Sequence, residues 1–205
     1  MPLYLGSGPR LKIGSGGVFY KVASSIKKSG LWYTMKKFKV FNGISDYIDT
    51  GIKLGEIDQN YTILVDISYI GDCGNQAAIL NYMNEISPYP GLVVRVMSGS
   101  IIEGTLGKGG TLFKTGSLSL NMCRIAIIRD IIQNKYKAYW FDGVSINTTE
   151  KSGSFFASSQ TLTIGASKNS NNIPFRYFKG TIDTFMLYNK VLDDITIQNF
   201  LKEGT

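Results

Sequence analysis

The chain contains no histidine, and its 205 residues include only two cysteines and five prolines. Each shortage excludes something. Without an imidazole, the Ser-His-Asp and Cys-His nucleophilic arrangements are ruled out, and so are histidine-based metal sites. The two cysteines, Cys73 and Cys123, lie far apart with no Cys-x-x-Cys pair, so neither a structural zinc site nor a disulfide-dense scaffold is indicated. Cys123 sits in the apolar run MCRIAII (122–128), and both thiols read as buried and free, with a single Cys73–Cys123 disulfide left open. No apolar run approaches the roughly 20 residues that a membrane-spanning helix needs, so no membrane insertion is expected. The opening MPLYLGSGPRLK lacks the basic start, apolar centre and small-residue cleavage site of a secretory signal.

What is present points to sheet. Hydrophobic residues make up 43% of the chain and charged ones 18%, a composition that folds. Twenty-three glycines and 12% aromatics suit many tight turns and aromatic-rich strands. The net charge of +7 favours anionic partners such as acidic glycans or phosphate polymers. The densest basic stretch, SIKKSGLWYTMKKFKV (25–40), interleaves lysines with Trp32, Tyr33 and Phe38. No RNA- or DNA-binding motif accompanies it, so it reads as a solvated strand face and no nucleic-acid partner is expected.

Alternation supports this class. YTILVDISY (61–69) places Tyr61, Ile63, Val65, Ile67 and Tyr69 on one side and polar residues with Leu64 on the other, the pattern of a half-buried strand. Similar runs at LVVRVM (92–97), RIAIIR (124–129), YKAYWF (136–141) and TLTIG (161–165) are separated by Gly-, Asn- and Ser-rich turns. About a dozen short strands punctuated this way imply a sandwich or barrel. GTLGKGGT (104–111) is a hairpin turn rather than a phosphate loop, because Lys108 is followed by Gly109. One helix is expected, at the end of the chain: Asp193 as N-cap, Asp194 in the first turn, Leu192 stapled to Ile197, and Ile197, Phe200 and Leu201 on one face.

The stretch from Leu162 to Leu201 resembles the end of a laminin-G-like domain of the concanavalin A-like lectin and glucanase superfamily. Ile164 and Gly165 precede a variable loop, then come Phe178, Gly180, Ile182 and Asp183 in one strand, Tyr188 and Asn189 in a turn, and Leu192 before the helix. FKVFNGISDYIDTGIKL (38–54) is similar to the opening strand of that family, and YWFDG (139–143) to one of its hairpins. The resemblance implies an all-β, concanavalin A-like jelly-roll β-sandwich over residues 30–205 with one short C-terminal helix covering an open flank. Residues 1–29 stand outside it. Their Leu3-Tyr4-Leu5-Gly6 is similar to N-terminal segments of phage tail and other virion proteins, which implies a virion docking arm; an extra edge hairpin is the alternative.

Chemistry is sparse. Glucanases of the superfamily carry Glu-x-Asp-x-x-Glu on one strand; here Glu56 and Asp58 are followed by Tyr61 where the second acid belongs, so the chain is expected not to be an enzyme. Asp183, among apolar neighbours, reads as a structural carboxylate bonded to backbone amides. Some laminin-G-like domains hold calcium, and Asp72 and Asn75 offer two oxygens toward the six to eight it takes, so the metal stays unassigned and no cofactor is expected. The glycan-binding candidates are Tyr82, Asn84, Glu85 and Tyr89 in LNYMNEISPYPG (80–91), which combines aromatics with groups that read hydroxyls. The expectation is a multi-copy, non-catalytic virion protein, made in a host cytoplasm, whose partners are other virion proteins and host-surface glycan. The alternatives are a structural subunit without a ligand, a glucanase-type hydrolase and a bacterial lectin.

Overall fold

The computed structural model describes residues 30–35, 39–54, 60–74, 76–83, 91–107, 110–118, 122–153 and 158–204. Its strands are β1 (Leu31–Met35), β2 (Lys39–Asn42), β3 (Ile48–Asp49), β4 (Tyr61–Ile70), β5 (Ala77–Asn81), β6 (Leu92–Met97), β7 (Ile101–Leu106), β8 (Gly110–Lys114), β9 (Cys123–Asp130), β10 (Lys135–Phe141), β11 (Ile146–Ser152), β12 (Thr163–Ile164), β13 (Ser167–Lys168), β14 (Pro174–Phe175) and β15 (Lys179–Tyr188). One helix, α1 (Asp194–Glu203), follows.

Among the described residues the strands form a β-sandwich. One sheet runs β1-β15-β4-β9-β10-β11, with β2 also on β15; the other runs β3-β12-β5-β6-β7-β8; β13 and β14 form a small hairpin. The last strand thus lies inside its sheet, between β4 and the opening strands β1 and β2. The core between the sheets is built by alternate residues: Ile63, Val65 and Ile67 of β4, Ile125 and Ile127 of β9, and Phe185 and Leu187 of β15 face Leu92, Val94 and Val96 of β6 and Ile102 of β7. Removing this much apolar surface from water supplies the main drive to fold.

Two glycines let the opening and closing stretches meet. Gly165 has φ +84°, and a Cβ there would lie 2.3 Å from the ring of Phe41. A Cβ on Gly180 would lie 2.3 Å from the carbonyl oxygen of Tyr69 and 2.5 Å from the Phe178 ring. With both side chains absent, Phe41 and Phe178 pack at 5.9 Å between centroids in the core.

The helix departs from the expected placement. It packs on the outer face of the first sheet rather than across an open flank: Ile197, Phe200 and Leu201 join Leu64, Ala126, Ile128, Tyr139 and Met186 in a second apolar cluster. Its N-cap is Asp193, which accepts from Thr196 N at 2.8 Å, and Leu192 and Ile197 share the cluster as the staple requires. This placement also corrects the half-buried reading of β4. Tyr61 through Ile67 are all buried, because core lies on one side of the strand and, on the other, Leu64 lies under the helix while Asp66 pairs with Arg124.

Other expectations shift in detail. Asp183 is half-buried and accepts from the Ser68 hydroxyl at 2.9 Å, not from backbone amides. Both residues sit where the β4–β15 register slips, each an extra residue on its own strand. Cys123 is buried but Cys73 only half-buried, and both are free thiols. The 104–111 segment is a β7–β8 hairpin as expected.

Candidate functional site

The loop picked out for glycan binding does not present its first aromatic to solvent. Tyr82 is fully buried; the Asn81 side chain closes a turn on the Met83 amide (3.2 Å), the Tyr82 ring lies in the core, and the Tyr82 hydroxyl accepts from Ser158 N at 3.2 Å. Burial pushes that hydroxyl far above the ordinary tyrosine range. Tyr82 therefore cannot stack on a sugar. Asn84, Glu85 and Tyr89 lie outside the described residues, as do Glu56, Asp58 and Asn75. Asp72 is described, and its carboxylate accepts from the Gly74 amide at 3.4 Å. Among the described residues no group of three or more cysteine, aspartate or glutamate side chains is placed to hold a metal ion.

A different surface gathers polar and aromatic groups: the outer face of the second sheet. Its composition follows from strand alternation. Leu92, Val94 and Val96 point to the core, so Val93, Arg95 and Met97 point away; on β7, Ile102 and Leu106 point in, so Glu103 and Thr105 point out. Pairing then lines these residues up across the strands. Ala78 on β5 is opposite Arg95, Arg95 is opposite Glu103, and Glu103 is opposite Lys114 on β8. On the far side of Ala78 a parallel bridge brings in Tyr177, whose neighbour Phe178 is buried in the core. The row across the sheet reads Tyr177, Ala78, Arg95, Glu103, Lys114.

The centre of the row is charged. Arg95 Nη2 donates to Glu103 Oε1 at 3.0 Å, and the Thr105 hydroxyl donates to the same oxygen at 2.9 Å. Burial alone would raise the Glu103 carboxyl, but its bonds to Arg95 and Thr105 and the positive charges of Arg95 and Lys114 outweigh this and hold it below its ordinary value. Arg95 Nε is buried with no hydrogen-bond partner among the described residues, although the side chain keeps 22% exposure. A guanidinium fixed through Nη2 and still partly exposed is suited to receive a second acceptor, and a carboxylate fits its planar fork best.

The Tyr177 end is aromatic. The Tyr177 hydroxyl donates to Pro174 O at 3.1 Å, and its ring meets Tyr47 at 6.5 Å between centroids. Between tyrosine and arginine the row is closed to solvent, with Ala78 buried together with Val93 and Met83. None of these residues stood out in the sequence. The signal available was Arg95 within the apolar run LVVRVM, which alternation alone places on the outward side.

No family model matches the chain, and no curated protein matches it. Solved structures do. The Ruminococcus gnavus IT-sialidase CBM40 bound to α2,3-sialyllactose is 14% identical with a TM-score of 0.56, the match covering 80% of this chain and 97% of that one. The NanB sialidase of Streptococcus pneumoniae, solved with Optactamide, is 14% identical with a TM-score of 0.59, and a leech intramolecular trans-sialidase complexed with 2,7-anhydro-Neu5Ac is 12% identical with a TM-score of 0.57. These matches cover 81% and 84% of this chain but only 27% and 28% of the enzymes. The chain thus spans about a quarter of the sialidases it matches and nearly the whole of the isolated CBM40. At such identities the likeness establishes the lectin-like β-sandwich fold.

Proposed function

We propose that the chain is a non-catalytic, lectin-like module that binds an acidic glycan, with sialylated oligosaccharides as the ligand class, on the outer face of its second sheet. The observation that carries this is Arg95, which alternation turns away from the core, which Glu103 fixes through Nη2, and whose side chain keeps 22% exposure. Support comes from the net charge of +7, which draws anionic ligands, and from the match to a CBM40 module solved with sialyllactose. The binding role is preferred to an enzymatic one because the match spans almost all of that isolated module and only a fraction of the sialidases. The setting we propose is a virion, with the module present in several copies beside other particle proteins; this rests on the Leu3-Tyr4-Leu5-Gly6 opening and the laminin-G-like closing motif.

A titration of α2,3-sialyllactose into the wild type and Arg95→Lys tests the site. Lysine keeps the charge beside Glu103 but loses the fork, and the expected result is binding weakened at least about tenfold. If the wild type retains no sialylated or other acidic oligosaccharide on a glycan array, the binding role falls and the ligand-free structural subunit takes its place.

A further inference from the structure

Strict alternation would turn Tyr69 into the core behind Ile63, Val65 and Ile67, yet its side chain stands in solvent. The cause is the paired slip in register: Ser68 is an extra residue on β4 and Asp183 an extra residue on β15, so Ile70 rather than Tyr69 follows Ile67 into the core. Tyr69 is 53% exposed, and among the described aromatic side chains it alone is exposed. A bulge that re-aims one large ring into water, in a sheet that buries its other aromatics wholly or partly, marks a surface with a partner to meet. We infer that this part of the first sheet's outer face is a second binding site, whose ligand is a neutral pyranose.

Register assembles the site around the ring. Tyr69 is opposite Thr181, and Thr181 is opposite Val40, which is 57% exposed, so a hydroxyl and an apolar side chain continue the row across β15 and β2. Along β15, Lys179 and Asp183 stand on the same outer face two residues either side of Thr181, each roughly 7 Å away. The Ser68 hydroxyl donates to Asp183 Oδ1 at 2.9 Å, which fixes the carboxylate and leaves Oδ2 to accept. All six of these residues are exposed or half-buried, so the surface is open along its length.

The chemistry selects the occupant. A tyrosine ring offers a flat apolar surface at little entropic cost, and the C–H face of a pyranose packs on such a surface. Around it, a carboxylate accepts from sugar hydroxyls while an ammonium and the Thr181 hydroxyl donate to them. One positive and one negative side chain cancel, so nothing here favours an ionised sugar. The site lies on the opposite sheet from Arg95 and does not depend on it.

The test is an amide-resolved NMR titration of the full chain with the methyl glycosides of glucose, galactose and mannose, on wild type, Tyr69→Ala, Tyr69→Phe, Asp183→Asn and Arg95→Lys. At least one hexoside is expected to bind saturably, in the millimolar range of a single sugar, and to shift the amides of residues 68–70 and 179–183. Tyr69→Ala, at an exposed position that leaves the core intact, should weaken binding at least about fivefold, whereas Tyr69→Phe, which keeps the ring, should stay within about twofold of wild type. Asp183→Asn should weaken it about threefold or more, and Arg95→Lys should leave it unchanged. The site is overturned if no hexoside saturates, if the shifts fall away from these two strands, or if folded Tyr69→Ala binds as tightly as wild type. None of those results touches Arg95, whose role is read separately with sialyllactose, and loss of sialyllactose binding leaves the hexoside titration to be judged on its own.

Discussion

Arg124 Nε donates to Asp66 Oδ2 at 3.2 Å, while Nη1 of the same guanidinium donates to the carbonyl oxygens of Leu201 and Lys202 at 3.0 and 2.9 Å. One β9 side chain therefore neutralises a buried β4 carboxylate and satisfies two carbonyls at the end of α1, which have no partner within the helix. The other end is tied by the Tyr139 hydroxyl, which donates to Asp194 Oδ1 at 2.9 Å. Replacing Arg124 by methionine leaves Asp66 buried without its counter-ion, and the expected loss is about 3 kcal/mol, a fall of roughly 6–12 °C in Tm. Adding Asp66→Asn should restore part of it. Thermal unfolding of the two variants checks both statements, and a single variant as stable as wild type contradicts the clamp.

Gly165→Ala should be among the most damaging methyl additions in the chain. The new Cβ meets the Phe41 ring at 2.3 Å, and the backbone stays at φ +84°, where side chains are strained. Overpacking and strain together are expected to cost about 2–4 kcal/mol. Phe41→Leu in the same chain should recover the steric part and leave the strain, so urea unfolding of the double variant separates the two contributions.

Acid should weaken the fold, and the carboxylates responsible can be named. Burial acts to raise both Glu103 and Asp49, but Arg95 and Thr105 for the first, and Lys168, Thr161 and the Gly51 amide for the second, leave each below its ordinary value. A carboxylate lowered in the fold contributes stability that is present above its unfolded pKa of about 4 and is lost as pH falls through the folded value. Asp66 has the opposite sign. Burial raises it despite Arg124, so its contribution is present at low pH and is lost as pH rises through its folded value. Urea midpoints measured from about pH 7 to about pH 3 should fall for wild type, fall less for Glu103→Gln, and fall more for Asp66→Asn, which removes the opposing group.

The parts of the fold legible in the sequence are those decided by neighbours in the chain. Asp193, Leu192 and the Ile197, Phe200, Leu201 stripe specify a helix within ten residues, and that helix forms as expected. The Asp142-Gly143 turn between β10 and β11 is equally local, with the Asp142 carboxylate accepting from the Val144 and Ser145 amides. What could not be seen depends on distant partners. Leu64 looks solvent-facing in YTILVDISY because the residues that cover it belong to the last dozen of the chain. Tyr82 looks exposed in a Pro-rich connection, yet Asn81 turns the backbone so that the ring enters the core. The Arg95 row needs the registers of four strands and a bridge to Tyr177, and no local pattern encodes that alignment.

The position of α1 carries a last consequence, because the helix hides apolar sheet surface rather than an edge. Leu64, Ala126, Ile128 and Met186 lie beneath Ile197, Phe200 and Leu201, so a chain ending at Lys190 would bare all of them on one face. An uncovered apolar sheet face of this kind drives association. The shortened chain is expected to bind a hydrophobic dye strongly and to elute as larger species in size-exclusion chromatography. Two single substitutions separate this from any general effect of altering the helix. Leu201→Asp places a charge in the buried cluster and should reproduce the dye binding and association, whereas Ile195→Asp, at a position 74% exposed on the solvent side of the same helix, should leave both unchanged. If Ile195→Asp associates as readily as Leu201→Asp, the helix is not acting as a cover.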